Sequence, residues 1–250
     1  MATFEFSLIG KFAIVTGAAS KVGQAIARGL AKEGATVILT DADREKGACA
    51  AQSLAAPVIP ADLSSAEDID RLVTQVLAEY GKIDILVNAA KYTPTASALQ
   101  VTRQQWNTCF ITNLDNAFFL SQAGAQHMCT AKSGSIIFVT DSDGHRVSWA
   151  NTRAVACAAS GAVVMLTKVL AAEWTPCGVR VNAILTGISE EDCCDDAAGK
   201  QRREEHLRFT PLGELASPDD FVGTAVYLAS DASSYTTGHA LIVDGGHHAY

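Results

Sequence analysis

Short apolar segments alternate with amphipathic segments along most of the 250-residue chain. In the first pair, the apolar run Phe12–Thr16 and the amphipathic run Gln24–Glu33 are separated by a turn that contains glycine. Strands that alternate with helices form a parallel sheet, because each helix carries the chain back across one face of the sheet. The sequence therefore predicts a single α/β domain, residues 1–250, with a doubly wound parallel sheet and helices on both faces. A short strand is predicted at Val58–Pro60.

Composition and charge limit the classes of partner. Hydrophobic residues make up 48% of the chain and charged residues 18%, which is typical of a globular domain with buried strands. The net charge of −8 disfavours nucleic acid and anionic membranes, because both bind clustered Lys and Arg. No apolar run reaches the roughly 18–20 residues of a membrane span, and no signal peptide is visible, so a cytoplasmic location is expected. The seven cysteines lack metal-ligand spacing, and no metal is expected.

The turn after the first strand has the features of a pyrophosphate-binding site. Gly17 and Gly23 lie where the backbone would approach a ligand, and the following helix N-terminus stabilises an anion. Asp41 ends the second apolar run, where a carboxylate can bind both hydroxyls of a ribose. A generic strand–turn–helix unit and a simple turn residue remain the alternative interpretations of these two features.

Eight short segments, taken together, have a specific pattern. They are Thr16-Gly17 with Gly23, Asp62-Leu63, Asn88-Ala89-Ala90, Asn113-Leu114 with Phe118, Arg180–Ala183 with Gly187, Pro211–Gly213, Leu228–Asp231, and Thr237-Gly238 before Val243–Gly246. The pattern resembles the short-chain dehydrogenase/reductase family over nearly the whole chain. The resemblance implies a Rossmann-like fold of about seven parallel strands and a bound NAD or NADP.

The resemblance also implies roles for individual residues. In the family, Asp62 contacts adenine, Asn88 and its neighbours flank the ribose, and Asn113 orients the catalytic lysine through water. Asp41 favours NAD, because a carboxylate repels a 2′-phosphate, although Lys21 and Arg44 partly offset this preference. The full set of expected cofactor-binding residues is Gly17, Ser20, Lys21, Val22, Gly23, Asp41, Asp62, Leu63, Asn88, Ala89, Thr186 and Gly187.

The catalytic segment departs from the family pattern. No Tyr lies between Ile136 and Lys168, and no pair of residues has the spacing Tyr-x-x-x-Lys. Aligned on Gly144, the catalytic serine position falls on Asp141, or on Ser142 after a shift of one residue. The tyrosine and lysine positions fall on Ala156 and Ser160, or on Cys157 and Gly161 with a one-residue gap.

Three positions near the cofactor also depart from the pattern. Lys21 replaces the middle glycine of the turn, Thr186 replaces a proline, and Lys91 follows Asn88-Ala89-Ala90 where the family has glycine. Lys91 is expected to project toward the nicotinamide side of the pocket. The absent lysine and the altered glycines predict weakened nucleotide binding.

The missing phenol disfavours ordinary interconversion of alcohols and ketones. Hydride delivery to a carbonyl leaves an alkoxide that needs a proton, and losing a positioned acid costs ~10²–10⁴ in rate. The main expectation is therefore a biosynthetic enzyme with a non-redox reaction, such as cyclisation, isomerisation or elimination through a stabilised cation, iminium or enol. One alternative is an NAD(P)H-dependent reductase with an unusual acid or an imine substrate; another is an inactive subunit. The candidate catalytic residues are Asp141, Ser142, Asp143, His145, Asn113 and Lys91.

Two expectations concern larger surfaces. The polar and charged segment 188–211 is predicted to be a substrate lid. By resemblance to the family, the long helices at about 102–129 and 152–174 would pack in a homo-oligomer, either a dimer or a tetramer. His247 and His248, near the end of the chain, are expected to be exposed or to lie at an oligomer contact.

Overall fold

One parallel sheet forms the centre of the computed structural model, which describes residues 6–94, 96–147, 153–193 and 197–249. Its strand order is β2-β1-β3-β4-β5-β6. The strands are β1 (Phe12–Thr16), β2 (Thr36–Thr40), β3 (Ile85–Asn88), β4 (Gly134–Asp141), β5 (Val179–Thr186) and β6 (Ala240–Val243). The order reverses between β1 and β3, so the connections leave a crevice at the carboxyl ends of these strands.

Eight helices of more than one turn cover the two faces of the sheet in the described ranges. They are α1 (Lys21–Lys32), α2 (Arg44–Leu54), α3 (Ala66–Tyr80), α4 (Arg103–Phe110), α5 (Asn116–Ala131), α6 (Ala154–Trp174), α7 (Ala197–Phe209) and α8 (Val222–Ala229). Buried side chains of α3, α5 and α6 form one apolar core, and those of α1, α2 and α8 form a second core on the opposite face. The predicted α/β fold with helices on both faces is confirmed.

The helix starts follow from capping residues that are visible in the sequence. The Ser20 hydroxyl accepts a hydrogen bond from the Gly23 amide at 3.0 Å, and Ser65 caps α3 in the same way. At α4, Thr102 and Gln105 form a reciprocal capping box. Such caps satisfy amide groups that have no partner within the helix.

The predicted strand at Val58–Pro60 is wrong, and the described part of the chain has six strands rather than about seven. Val58 makes only an isolated bridge with Leu39. The segment is nevertheless bonded to the edge of β2: the Leu39 amide donates to the Pro57 carbonyl at 2.9 Å, the Ile59 amide to the Leu39 carbonyl at 2.9 Å, and the Ala61 amide to the Asp41 carbonyl at 3.2 Å. Because Pro57 has no amide hydrogen, this pairing cannot extend further toward the N-terminal side.

Helix α6 is long and apolar enough to need comment. By length and composition, Ala154–Cys177 passes as a membrane span, contrary to the expectation that no such run exists. Half of its most apolar window is buried inside the fold, where the helix packs against β4 and β5. This burial is typical of the core helix of a globular domain.

Candidate functional site

A cleft runs along the carboxyl ends of the strands, and two halves can be distinguished. Lining residues of the first half include Gly17, Asp41, Asp62 and Leu63. The second half is a cavity of about 310 Å³, and it is lined by Val22, Ala89, Arg153, Thr186, Gly187 and Asp192 among others. Ser20 and Lys91 line both halves, so the two are continuous.

The glycine turn between β1 and α1 has the tight geometry expected from its sequence. Gly17 has φ +70°, and a Cβ atom there would lie 2.7 Å from the Ala89 carbonyl oxygen. A Cβ atom on Gly23 would lie 2.3 Å from the Gly17 carbonyl oxygen. Lys21 begins α1 and is not among the described residues with positive φ, so it adds no backbone strain to the turn.

Polar residues at the ends of β2 and β3 hold the first half of the cleft together. The two carboxylate oxygens of Asp41 accept hydrogen bonds from the Ala19 and Asp43 amides at 2.8 and 3.0 Å. Each oxygen keeps a second lone pair for a ligand. Asn88 is buried, and its amide nitrogen donates to the Ser121 hydroxyl at 3.0 Å, which supports the sheet from below the cleft.

Lys91 lies at the junction of the two halves and is held by two carboxylates. Its Nζ atom donates to Asp141 Oδ1 at 2.7 Å and to Asp192 Oδ1 at 2.9 Å. Burial alone would lower the pKa of this ammonium, but the charges of Asp141 and Asp192 outweigh burial and raise the pKa well above its ordinary value. The same contacts hold the pKa of Asp192 well below its usual range, against the opposing effect of burial. Lys91 is therefore protonated at neutral pH and can donate a hydrogen bond to a ligand.

Arg153 is a second buried cation beside Lys91, and no motif in the sequence points to it. It immediately precedes α6 and is 5% exposed. Its guanidinium nitrogens lie 3.8 Å from Asp141 Oδ2, 3.6 Å from Asp143 Oδ2 and 3.9 Å from Asp192 Oδ1. These five residues, Lys91, Arg153, Asp141, Asp143 and Asp192, are called the charged cluster below.

A histidine near the end of the described chain extends the charged cluster. The His248 ring lies between two carboxylates, with Nδ1 2.7 Å from Asp244 Oδ2 and Nε2 3.5 Å from Asp143 Oδ1. Burial would lower its pKa, but hydrogen bonding to Asp143 and Asp244 outweighs burial and raises the pKa to about 9. The expectation that this histidine pair is exposed is wrong, and the alternative of an oligomer contact stays a prediction. His247 is buried as well, and it stacks on His206 at 4.1 Å between ring centroids.

The two carboxylate contacts of His248 predict that the stability of the protein depends on pH. The pKa of His248 is raised from 6.5 to about 9, so its contribution is complete below pH 6.5 and is lost as the pH rises through 9. Because a tenfold change in proton affinity corresponds to ~1.4 kcal/mol, about 2–3 kcal/mol of unfolding free energy should disappear between pH 7 and 10. Urea unfolding of wild type and His248→Gln at both pH values tests this. An equal loss of unfolding free energy in wild type and His248→Gln would show that the carboxylate contacts of His248 do not stabilise the protein.

The remaining candidate catalytic residues lie in different environments. Ser142 and Asp143 are buried directly after β4, next to Asp141. Asn113 lies in a π-helical turn, Ile111–Asp115; its oxygen accepts from the Tyr92 amide at 2.7 Å, and its nitrogen donates to the Tyr92 carbonyl at 2.9 Å. It thereby fixes the loop that carries Lys91. His145 and Arg146 are exposed and do not line either half of the cleft.

The positions aligned with the family's tyrosine and lysine are buried in the core of the site. Ala156 is 2% exposed and Ser160 is 1% exposed. The Thr140 hydroxyl donates to Ser160 Oγ at 2.9 Å. Neither side chain lines the cleft.

Together, this fold and cleft define a Rossmann-like α/β protein with a ligand-binding crevice at the carboxyl ends of its strands. A family profile described as enoyl-(acyl carrier protein) reductase matches residues 17–248. The chain belongs to the short-chain dehydrogenase/reductase family.

The relatives are redox enzymes by name. D-threitol dehydrogenase of Mycolicibacterium smegmatis is 35% identical over 98% of this chain and 95% of its own. NAD-dependent glycerol dehydrogenase of Listeria innocua is 32% identical over 97% of this chain and 96% of its own. A crystal structure of gluconate 5-dehydrogenase from Burkholderia cenocepacia, in complex with NADP and tartrate, covers 100% of both chains with 32% identity and a TM-score of 0.91.

These relatives overturn the main functional expectation. The predicted non-redox cyclisation, isomerisation or elimination is wrong, because proteins that match this chain over nearly its full length are named as dehydrogenases and reductases. The same findings favour the alternative of a nicotinamide-dependent reductase. The error came from treating the absence of a tyrosine between Ile136 and Lys168 as the loss of redox chemistry.

Proposed function

We propose that this protein is an NAD(P)-dependent oxidoreductase that reduces small carbonyl compounds, with Lys91 as the proton donor. The observation that carries the proposal is the position of the Lys91 ammonium. It lines both halves of the cleft, is 28% exposed, and is fixed by Asp141 and Asp192. Two of its three N–H groups are used by these carboxylates, and the third is available to a substrate oxygen.

The residues of the cleft fit a dinucleotide. The turn at Gly17 and Gly23 leaves no room for a Cβ atom, and the N-terminus of α1 can stabilise a pyrophosphate. Asp41 would bind the adenosine ribose and favours NAD over NADP, while Asp62 and Leu63 would lie beside the adenine. Ser20, Lys21, Val22, Asn88, Ala89, Thr186 and Gly187 complete the proposed binding set. When bound, the dinucleotide supplies the hydride.

Hydride transfer to a carbonyl carbon requires charge stabilisation and a proton at the carbonyl oxygen, and Lys91 can provide both. Its ammonium donates a hydrogen bond to the carbonyl oxygen and stabilises the negative charge that develops there. It then transfers a proton to that oxygen, because an alkoxide is a stronger base than an amine. Asp141 and Asp192 hold Nζ in place, and Asn113 holds the backbone of the same loop through Tyr92. Asp143 acts indirectly, by contacting Arg153.

In this mechanism Asp141 and Lys91 replace the family's serine, tyrosine and lysine. Support comes from the burial of Ala156 and Ser160 and from the absence of tyrosine between Ile136 and Lys168. The side chain of Ser142 is buried, and His145 is exposed, so neither is assigned a step. The segment 188–211 contributes Asp192, which is consistent with a lid that completes the site when it is in place.

The proposal is tested by following reduced nicotinamide absorbance with NADH and NADPH and a panel of small ketones and hydroxyketones. Turnover is expected, with higher kcat/KM for NADH because of Asp41. Nucleotide binding is measured separately by calorimetry. If nucleotide binds and no carbonyl compound or alcohol of the panel changes its redox state, the proposed function is refuted.

We also propose a homo-oligomer in the cytoplasm, without nucleic acid or membrane partners. Apolar side chains are exposed on two neighbouring helices, with Phe119 on α5 at 51% and Met165 and Val169 on α6 at 58% and 45%. Exposed apolar groups on adjacent helices are typical of subunit interfaces. Light scattering that gave the mass of one chain, 26.2 kDa, would refute the oligomer.

A further inference from the structure

We propose that Arg153 binds the substrate and selects uncharged carbonyl compounds that carry a second oxygen on the neighbouring carbon, such as α-hydroxyketones. This inference rests on the proposed function and specifies its substrate class. One substrate oxygen would accept a hydrogen bond from Lys91, and the oxygen on the neighbouring carbon would accept one from Arg153.

The two cations are neighbours on the wall of the same cavity. Both line the second half of the cleft, and both contact Asp141 and Asp192. Because the two side chains share two carboxylates, their donor groups can bind adjacent oxygens of one small molecule. A ligand with a single oxygen would leave the guanidinium unused.

The guanidinium retains donors for a ligand. Its distances to Asp141, Asp143 and Asp192 are 3.6–3.9 Å, which is long for a hydrogen bond. Its Nε atom is buried, and no acceptor in the described part of the chain is bonded to it. A guanidinium carries five N–H donors, and a buried donor without a partner destabilises the folded protein. A substrate oxygen at this position would remove that cost.

The charge around Arg153 argues against an anionic substrate. Lys91, Arg153 and the protonated His248 contribute three positive charges, and Asp141, Asp143, Asp192 and Asp244 contribute four negative charges, which leaves a net charge of −1. A substrate carboxylate would bring this buried site to −2, and like charges repel strongly where water is excluded. An uncharged hydroxyl or carbonyl oxygen accepts the same hydrogen bonds without that repulsion.

Three compounds with the same carbon skeleton test the inference: 2-butanone, 1-hydroxy-2-butanone and 2-oxobutanoate. A hydrogen bond to a charged group is worth ~1.5–3 kcal/mol, so kcat/KM should be about 10–100-fold higher for the hydroxyketone than for the ketone. The oxoacid should be turned over less efficiently than the hydroxyketone. In Arg153→Met the ratio of hydroxyketone to ketone should approach one. Arg28→Met, which removes an exposed arginine paired with Asp219, should keep the wild-type ratio.

Arg153→Lys keeps the charge but loses the planar fork, and its ratio should fall between those of wild type and Arg153→Met. This variant decides the question if Arg153→Met does not fold. A wild-type-like ratio in Arg153→Lys and Arg153→Met, or a wild-type preference for 2-oxobutanoate, would overturn the inference.

A binding measurement separates this inference from the proposed function. Calorimetry of the protein with saturating NAD, titrated with 1,2-butanediol and 2-butanol, should show tighter binding of the diol in wild type only. If the diol preference depends on Arg153 but no compound is turned over, the reductase proposal fails and the inference stands. If turnover occurs without a preference for two oxygens, the inference fails and the reductase proposal stands. If neither preference nor turnover is seen, both fail.

Discussion

Replacing Lys91 with methionine should lower kcat by ~10²–10⁴, the range that a positioned proton donor supplies. The methionine side chain has a similar length but neither a proton to give nor a charge to place on the carbonyl oxygen. The measurement is steady-state oxidation of NADH with the best carbonyl substrate. Calorimetric titration with the nucleotide shows whether the variant still binds its cofactor.

Two further variants identify what Lys91 does. Lys91→Arg keeps the positive charge between Asp141 and Asp192 but replaces the compact ammonium with a larger planar guanidinium, whose donors do not occupy the position of Nζ. Compared with Lys91→Met, this variant should bind nucleotide better and should stabilise part of the charge on the carbonyl oxygen. Its kcat should still be less than about a tenth of the wild-type value. Lys32→Met, at an exposed site at the end of α1 and away from the cleft, should behave as wild type. Near-wild-type kcat in folded Lys91→Met would show that the proton comes from another group.

Replacing Arg153 with methionine should lower the free energy of unfolding by about 3–5 kcal/mol, the usual effect of removing one partner from a buried ion network. Asp141 and Asp192 would then keep Lys91 as their cation, and Asp143 would keep His248. Urea denaturation of the two proteins gives the difference directly. Adding Asp143→Asn to Arg153→Met removes one of the negative charges left in excess by the loss of Arg153, so the double variant should be more stable than the sum of the two single changes predicts.

An exposed arginine provides the matched control for stability. Arg28 pairs with Asp219 at 3.1 Å, and both side chains are more than half exposed. Exposed pairs of this kind contribute at most ~1 kcal/mol, so Arg28→Met should change the unfolding free energy by no more than that. Similar losses in Arg153→Met and Arg28→Met would show that the charged cluster makes no special contribution to stability.

The sequence predicted the sheet because the fold depends on local patterns. Apolar runs such as Phe12–Thr16 and Thr36–Thr40 appear as strands with unchanged bounds, and Ser65 and Thr102 cap the helices that follow them. The one predicted strand that failed, Val58–Pro60, has the right apolar composition but follows Pro57, which has no amide hydrogen, and forms only an isolated bridge. A pattern of hydrophobicity alone does not record the loss of amide donors.

The site was less predictable because its contacts join distant parts of the chain. Lys91 and Asp141 were singled out by comparison with the family pattern, and the structure brings them together. Arg153, Asp192 and His248 belong to no local motif, and their partners lie up to 105 residues away, as for the Asp143 and His248 pair. Polar residues near a chain end, such as His248, are usually solvated. Only the fold shows that carboxylates surround this one.

The shared carboxylates also limit the order in which evolution can have assembled this site. A buried arginine cannot lose its proton, whereas a buried carboxylate can become neutral by binding one. A lineage that acquired Arg153 before Asp141, Asp143 and Asp192 would have carried an uncompensated charge in its interior. Stability alone therefore favours an order in which the acidic residues came first or arrived together with the cation. Homologues with aspartate at the end of β4 but no arginine ahead of α6 would represent the surviving intermediates of that history.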